Sequence, residues 1–226
     1  VFGYGSLLWN PDFPVAERVP ARLMGFHRSF CMRSVHHRGT AERPGLVLAL
    51  DVDAGGLCEG LALRAAPGAE AETLARLRER ELISSAYGEH LLPLALACGR
   101  RVTALAYVID RAHVQYCRLP LEEQARIIAA ATGGRGPNVD YLRNTVAHLR
   151  EIGVHDADLD WLDRRVTVLR AARRRVPRAH SARGNAWPSW HLPRSRPRLG
   201  VVRNTGQDTA HGHAHGHGRR PYRPGR

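Results

Sequence analysis

Apolar positions change their spacing along this chain. Over the first half they form short runs or alternate with polar residues, and over the second they fall into a helical period. Val1 and Phe2 run into Gly-Tyr-Gly-Ser and then Leu7, Leu8 and Trp9, which predicts a short buried strand ending in an open turn. Pro11 and Pro14 make the next segment a loop, since neither fits a helix interior or a central strand. Residues 21–33 alternate loosely and predict one or two half-buried strands. A polar, breaker-rich loop follows at 36–45. Residues 46–51 and 58–64 then predict two strands of a hairpin turning at Asp53-Ala54-Gly55-Gly56.

Pro67 and Gly68 open a helix over 69–81, with Glu70 and Glu72 in its first turn where they suit the helix dipole. Strands at 91–96 and 102–109 flank a turn at Gly99-Arg100. Helices are predicted at 121–131, 138–152 and 157–172, and the glycine-rich stretch 132–137 breaks the first from the second. The class is α+β, a mixed sheet or small barrel packed by helices.

Composition changes this picture at one place. The net charge is +13, which on its face suggests a nucleic-acid partner. From Arg173 onward, however, Asp208 is the sole acid against 13 arginines, while residues 1–172 are close to balanced. Two regions follow: a folded body at 1–172 and an Arg/His/Pro/Gly-rich tail at 173–226. The tail has too few aliphatics to offset its ordering entropy and is expected to be disordered. Its alternating histidines from His211 to His217 allow metal binding, and Trp187, Trp190 and Tyr222 among arginines allow base stacking. A solvated, biased tail is the simpler reading of both.

Cys31, Cys58, Cys98 and Cys117 are spread singly, without a CxxC pair, and are expected as buried thiols of a cytoplasmic protein. The longest apolar run, 91–98, contains Pro93 and is far too short to span a bilayer. No signal peptide is visible, although Val1 already lies in a strand and residues are expected to precede it.

Two features carry candidate chemistry. Gly3 and Gly5 lack a Cβ, can take φ > 0 and let a ligand approach the main chain; Ser6 adds a hydroxyl there. The turn is neither a dinucleotide fingerprint, lacking a third glycine, nor a P-loop, since the chain has no lysine; a plain structural turn is the alternative. The second feature is Glu81. Leu74 and Leu77 mark the apolar face of their helix, and Glu81 takes the next position on that stripe, where a core leucine belongs. Burial raises a carboxyl pKa toward the range where it both accepts and releases a proton. A salt bridge to Arg78 or Arg80 would point instead to a structural role.

In order, the chain reads Val-Phe-Gly-Tyr-Gly-Ser-Leu-Leu-Trp, His37-Arg38-Gly39 with Arg43-Pro44-Gly45, Arg80-Glu81-Leu82 leading to Tyr87, and Asn138-Val-Asp-Tyr141-Leu142. This set resembles the ChaC family of γ-glutamylcyclotransferases, in the branch associated with glutathione, over residues 1–170. The resemblance implies a γ-glutamylcyclotransferase-like fold. It also implies cleavage of glutathione to 5-oxoproline and Cys-Gly, by attack of the substrate's own α-amine on its γ-carbonyl.

On that resemblance Glu81 matches the catalytic acid–base residue. Val1, Phe2, Gly3, Tyr4, Gly5, Ser6 and Leu7 match the substrate loop. Tyr141 matches a position that presents a hydroxyl to the substrate, and a core tyrosine is the alternative. Arg38 could pair with a substrate carboxylate or tie down its own loop, and Tyr87 is a further candidate at the site. No metal or organic cofactor is implied, and the partner is a small molecule. A related substrate class, γ-glutamyl amino acids or amines, and a tail that binds nucleic acid or metal remain as alternatives.

Overall fold

The computed structural model describes residues 1–175. The expectations made for the tail fall on residues 176–226 and lie outside the described residues. The boundary expected at 172 falls inside the last helix, which runs on to Arg175.

Two long strands make the frame. β2 (Val15–Ser34) pairs antiparallel with β3 (Gly45–Ala65) along its whole length, from Val15 opposite Ala65 to Ser34 opposite Gly45. The sequence predicts a chain reversal at Asp53-Ala54-Gly55-Gly56, and the structure corrects this. The two flanking runs are consecutive parts of β3, both paired to β2, and the register slips between them from Met24–Leu57 to Phe26–Val52. Glycine pairs mark bulges as well as turns, and here they absorb extra residues in a bent strand. The true hairpin apex is the loop 35–44.

β1 (Phe2–Gly3) adds to the far half of β3. β4 (Tyr87–Leu96) joins β2 through Ala21–Leu96 and Arg22–Ala95, and β5 (Arg101–Ile109) pairs with β4 from end to end. β5 then meets β3 in parallel at Leu50–Val108, so the order β1-β3-β2-β4-β5 closes back on itself as a small mixed barrel. Phe2, Leu23, Leu50, Leu94 and Val108 fill one core on this framework.

α1 (Glu70–Glu81) lies between β3 and β4 in sequence and buries Thr73 and Leu77. α2 (Leu121–Ala130), α3 (Asn138–Glu151) and α4 (Ala157–Arg175) form the helical second half. Their residues Ile128, Leu142, Val146, Leu149, Leu162 and Val166 share a second core with Leu46, Leu48 and Phe30 of the sheet. Between α2 and α3 the glycine-rich break forms a small hairpin, β6 (Thr132–Gly133) against β7 (Gly136–Pro137).

That small hairpin holds the apex of the large one. The Gly134 and Arg135 N–H groups donate to the His36 and His37 carbonyls, both at 2.9 Å. Asn138, wholly buried, completes the clasp: its Oδ1 accepts the Leu46 N–H and its Nδ2 donates to the Leu46 carbonyl, each at 2.7 Å. The amide side chain thus acts as one more strand residue at the edge of β3. Gly45 must be glycine for this approach, because a Cβ on it would overlap the Arg38 carbonyl oxygen.

All four cysteines are free thiols; Cys31, Cys58 and Cys117 are buried as expected, whereas Cys98 is exposed at the β4–β5 turn. Among the described residues no helix is long and apolar enough to cross a membrane.

Candidate active site

One cleft gathers most of the expected residues. Its wall includes Tyr4, Gly5, Ser6, Leu7, Arg38, Glu81, Tyr87 and Tyr141, drawn from the first loop, the hairpin apex, the end of α1, the start of β4 and the first turns of α3. Val1, Phe2 and Gly3 are not on that wall. They run into and along β1, where the Val1 ammonium donates to the Leu63 carbonyl (2.8 Å) and Phe2 is fully buried.

The first loop is fixed from three sides. After β1, Ser6–Leu8 forms a single 3-10 turn closed by the Leu8 N–H on the Gly5 carbonyl (3.0 Å); the amides before Leu8 precede its first bond. The Tyr4 side chain points away into the core, its hydroxyl donating to the Tyr107 carbonyl (2.9 Å). The Tyr4 carbonyl accepts Nη1 of Arg28 (3.0 Å), a buried cation that also donates to the Glu59 carbonyl and to Asp156 (3.0 Å).

Gly5 does not take the positive φ that the sequence suggests; its φ is −136°. Its smallness serves a neighbour instead, since a Cβ there would sit 3.1 Å from the Tyr141 hydroxyl. Tyr141 is in turn fixed by edge contacts from Trp9 and Phe30, at 5.7 and 5.9 Å between ring centroids.

Glu81 is the last residue of α1, and its side chain is 18% exposed. Burial raises its pKa above the ordinary carboxylate range, against the opposing charges of Arg80 and then Arg135. The salt bridge that would mark a structural role is present, with Arg80 Nε 3.1 Å from Glu81 Oε1. It does not fully compensate for the loss of water, because the net direction is still upward. Arg80 also has other work: Nη2 donates to Ser6 Oγ (2.8 Å) and Nη1 to the Asn10 carbonyl (2.7 Å). One guanidinium therefore joins the carboxylate to the loop it faces.

Arg38 lies over the Tyr141 ring, with its guanidinium carbon 5.6 Å from the centroid. Its Nη1 ties it to the Arg135 and Pro137 carbonyls (2.7 and 3.3 Å), as the loop-anchoring alternative describes. Tyr87 donates to the Leu48 carbonyl (3.1 Å). Burial pushes the Tyr4, Tyr87 and Tyr141 phenols up, so each stays a neutral hydroxyl at physiological pH.

The sequence reading did not find Arg135, His36 and His37 on the wall, nor the grip of Arg80 on the loop. Arg135 lies in a stretch whose glycines mark only a break, and no local pattern places it here. His37 is held below the usual histidine range by burial and by Arg135, His36, Arg80 and Arg38. Among the described residues Glu81 is the only carboxylate on a wall that carries three arginines.

Within a mixed barrel, the cleft combines one desolvated carboxylate, a fixed backbone loop and several arginines, the features of an enzyme site for a small molecule. The chain belongs to the ChaC-like protein family, whose family model matches residues 1–169. It is 37% identical over 163 residues to the glutathione-specific γ-glutamylcyclotransferase of Escherichia coli, covering 72% of this chain and 70% of that protein. The Schizosaccharomyces pombe protein of the same name is 31% identical over 179 residues, covering 70% and 86%. The crystal structure of the glutathione-specific enzyme from yeast superimposes with a TM-score of 0.70 at 22% identity, covering 76% of this chain and 96% of that one, which shows a shared fold.

Proposed function

We propose that this chain is a glutathione-specific γ-glutamylcyclotransferase that releases 5-oxoproline and Cys-Gly, with Glu81 moving the protons. The observation that carries this reading is Glu81 itself, a carboxylate of raised proton affinity and, among the described residues, the only one on the cleft wall. The names and identities of the relatives from Escherichia coli and Schizosaccharomyces pombe support the substrate.

The reaction needs little else. The nucleophile is tethered within the substrate, so holding the γ-glutamyl chain folded provides most of the advantage of proximity. The α-ammonium gives a proton to the Glu81 carboxylate, and its nitrogen attacks the γ-carbonyl carbon. A tetrahedral centre forms, and Glu81 passes that proton to the cysteine nitrogen as its bond to the carbon breaks. Glu81 then takes the second proton of the ring nitrogen and delivers it to the departing amine, leaving the neutral lactam and the Cys-Gly ammonium. In this reading the amides of Tyr4–Leu7 hold the γ-glutamyl group and the developing oxyanion. The Tyr141 hydroxyl beside Gly5 is a neutral donor to the same group. Ser6 is not set up as a competing nucleophile, because its oxygen accepts from Arg80 and has no base on it. The substrate brings carboxylates, and the arginines of the wall suit them. A cytoplasmic setting, where thiols stay reduced, is part of this proposal.

The test is 5-oxoproline release by the purified chain from glutathione and, separately, from γ-glutamyl-alanine. Glutathione is expected to react with the higher kcat/KM. Equal or faster turnover of γ-glutamyl-alanine would keep the site and move the specificity to the related substrate class. No product from either would sink the cyclotransferase reading.

A further inference from the structure

We infer that Arg135 reads the far carboxylate of a tripeptide substrate, so that the leaving group is recognised as a dipeptide with a free C-terminus. This rests on the cyclotransferase reading above. The other two arginines of the cleft are already engaged by the protein itself. Arg80 has Nε on Glu81, Nη2 on Ser6 and Nη1 on the Asn10 carbonyl. Arg38 is engaged in part, with Nη1 on two carbonyls and its face on Tyr141. Arg135 is exposed at the cleft wall, and among the described residues its guanidinium makes no hydrogen bond or ion pair.

Its backbone, by contrast, is held. The Arg135 N–H donates to the His37 carbonyl (2.9 Å) and its own carbonyl accepts Arg38 Nη1 (2.7 Å). A fixed main chain therefore carries an uncommitted, exposed fork of donors on the cleft wall. Its charge is felt by both Glu81 and His37, so it acts within the same cleft as the reacting carboxylate.

A γ-glutamyl tripeptide folded with its amine at Glu81 and its γ-carbonyl at the first loop must direct the rest of its chain outward. The charge remaining on that outward part is the terminal carboxylate. A planar guanidinium matches a carboxylate with two parallel hydrogen bonds, whereas a lysine offers only a point charge.

The test pairs two enzymes with two substrates: wild type and Arg135→Gln, each with glutathione and with glutathione amide, in which the glycine carboxylate is replaced by a neutral amide. On glutathione, Arg135→Gln is expected to lose about 10- to 100-fold in kcat/KM, mostly through KM, as for one charge-assisted pair. Wild type is expected to lose about the same factor on the amide. The variant should lose nothing further there, and Arg135→Lys should recover part of the loss.

Equal losses by the variant on both substrates would assign Arg135 a structural role and overturn the inference, as would no loss on either. Failure of the wild type to release 5-oxoproline from glutathione would instead sink the parent reading, and this one with it.

Discussion

Glu81→Gln is expected to lower 5-oxoproline release from glutathione by about two to four orders of magnitude, the range for losing a general acid–base group, with the circular dichroism spectrum unchanged. Glutamine keeps the shape and its place at the end of α1 but cannot take the proton of the α-ammonium. The pH profile gives an independent check. Glu81 must be ionised to act as the base, and its pKa is raised by burial. Activity should therefore rise with pH along a limb lying above the ordinary carboxylate range, and the residual activity of Glu81→Gln should lack that limb.

Stability should respond in the opposite sense. A folded-state pKa above the unfolded one means that the native chain binds more protons, so this group favours folding below the unfolded pKa. That contribution is lost as pH rises through the folded value. Above the folded value the ionised carboxylate is then a net cost, and there the variant should melt at the same temperature or higher than wild type. A lower melting temperature, with activity lost in proportion, would mean that the Arg80 pair holds the fold and that Glu81 is structural.

Asn138→Leu is expected to destabilise the chain by about 2–6 kcal/mol. It leaves both the N–H and the carbonyl of Leu46 buried and unpaired, at about 1–3 kcal/mol each. Leucine is close in size, so the loss would come from hydrogen bonding rather than from a cavity. The clasp holds β3 against the start of α3, the helix that carries Tyr141, so kcat/KM should fall as well. Urea unfolding of the two proteins measures the first effect. A change below about 0.5 kcal/mol, the level of an ordinary surface substitution, would show that water or another group replaces the amide.

Much of this site was legible because helical arithmetic is local. Leu74 and Leu77 project the stripe that brings Glu81 to the cleft, and Leu77 is buried as that reading requires. The helices of the second half were legible within a few residues at each end for the same reason. The hairpin was misplaced because glycine carries two meanings: Gly55-Gly56 reads as a reversal, while the actual reversal at 35–44 is a long loop shaped by contacts with β6 and β7.

Arg80 was read only as a neighbour that could neutralise Glu81. Its bond to Ser6 spans 74 positions, and no local pattern announces it. Arg135 was invisible for the same reason. Its role depends on a small hairpin meeting the apex of a distant one. The glycines of the first loop read as sites of positive φ, yet Gly5 takes φ −136° and makes room for the Tyr141 hydroxyl.

The three-way grip of Arg80 makes the helix end and the first loop a single mechanical part. When heat or denaturant loosens that loop, the carboxylate leaves register in the same event. Inactivation should then coincide with loss of tertiary structure instead of running ahead of it, and a warmed sample should contain fully competent and fully inactive molecules with few of intermediate rate.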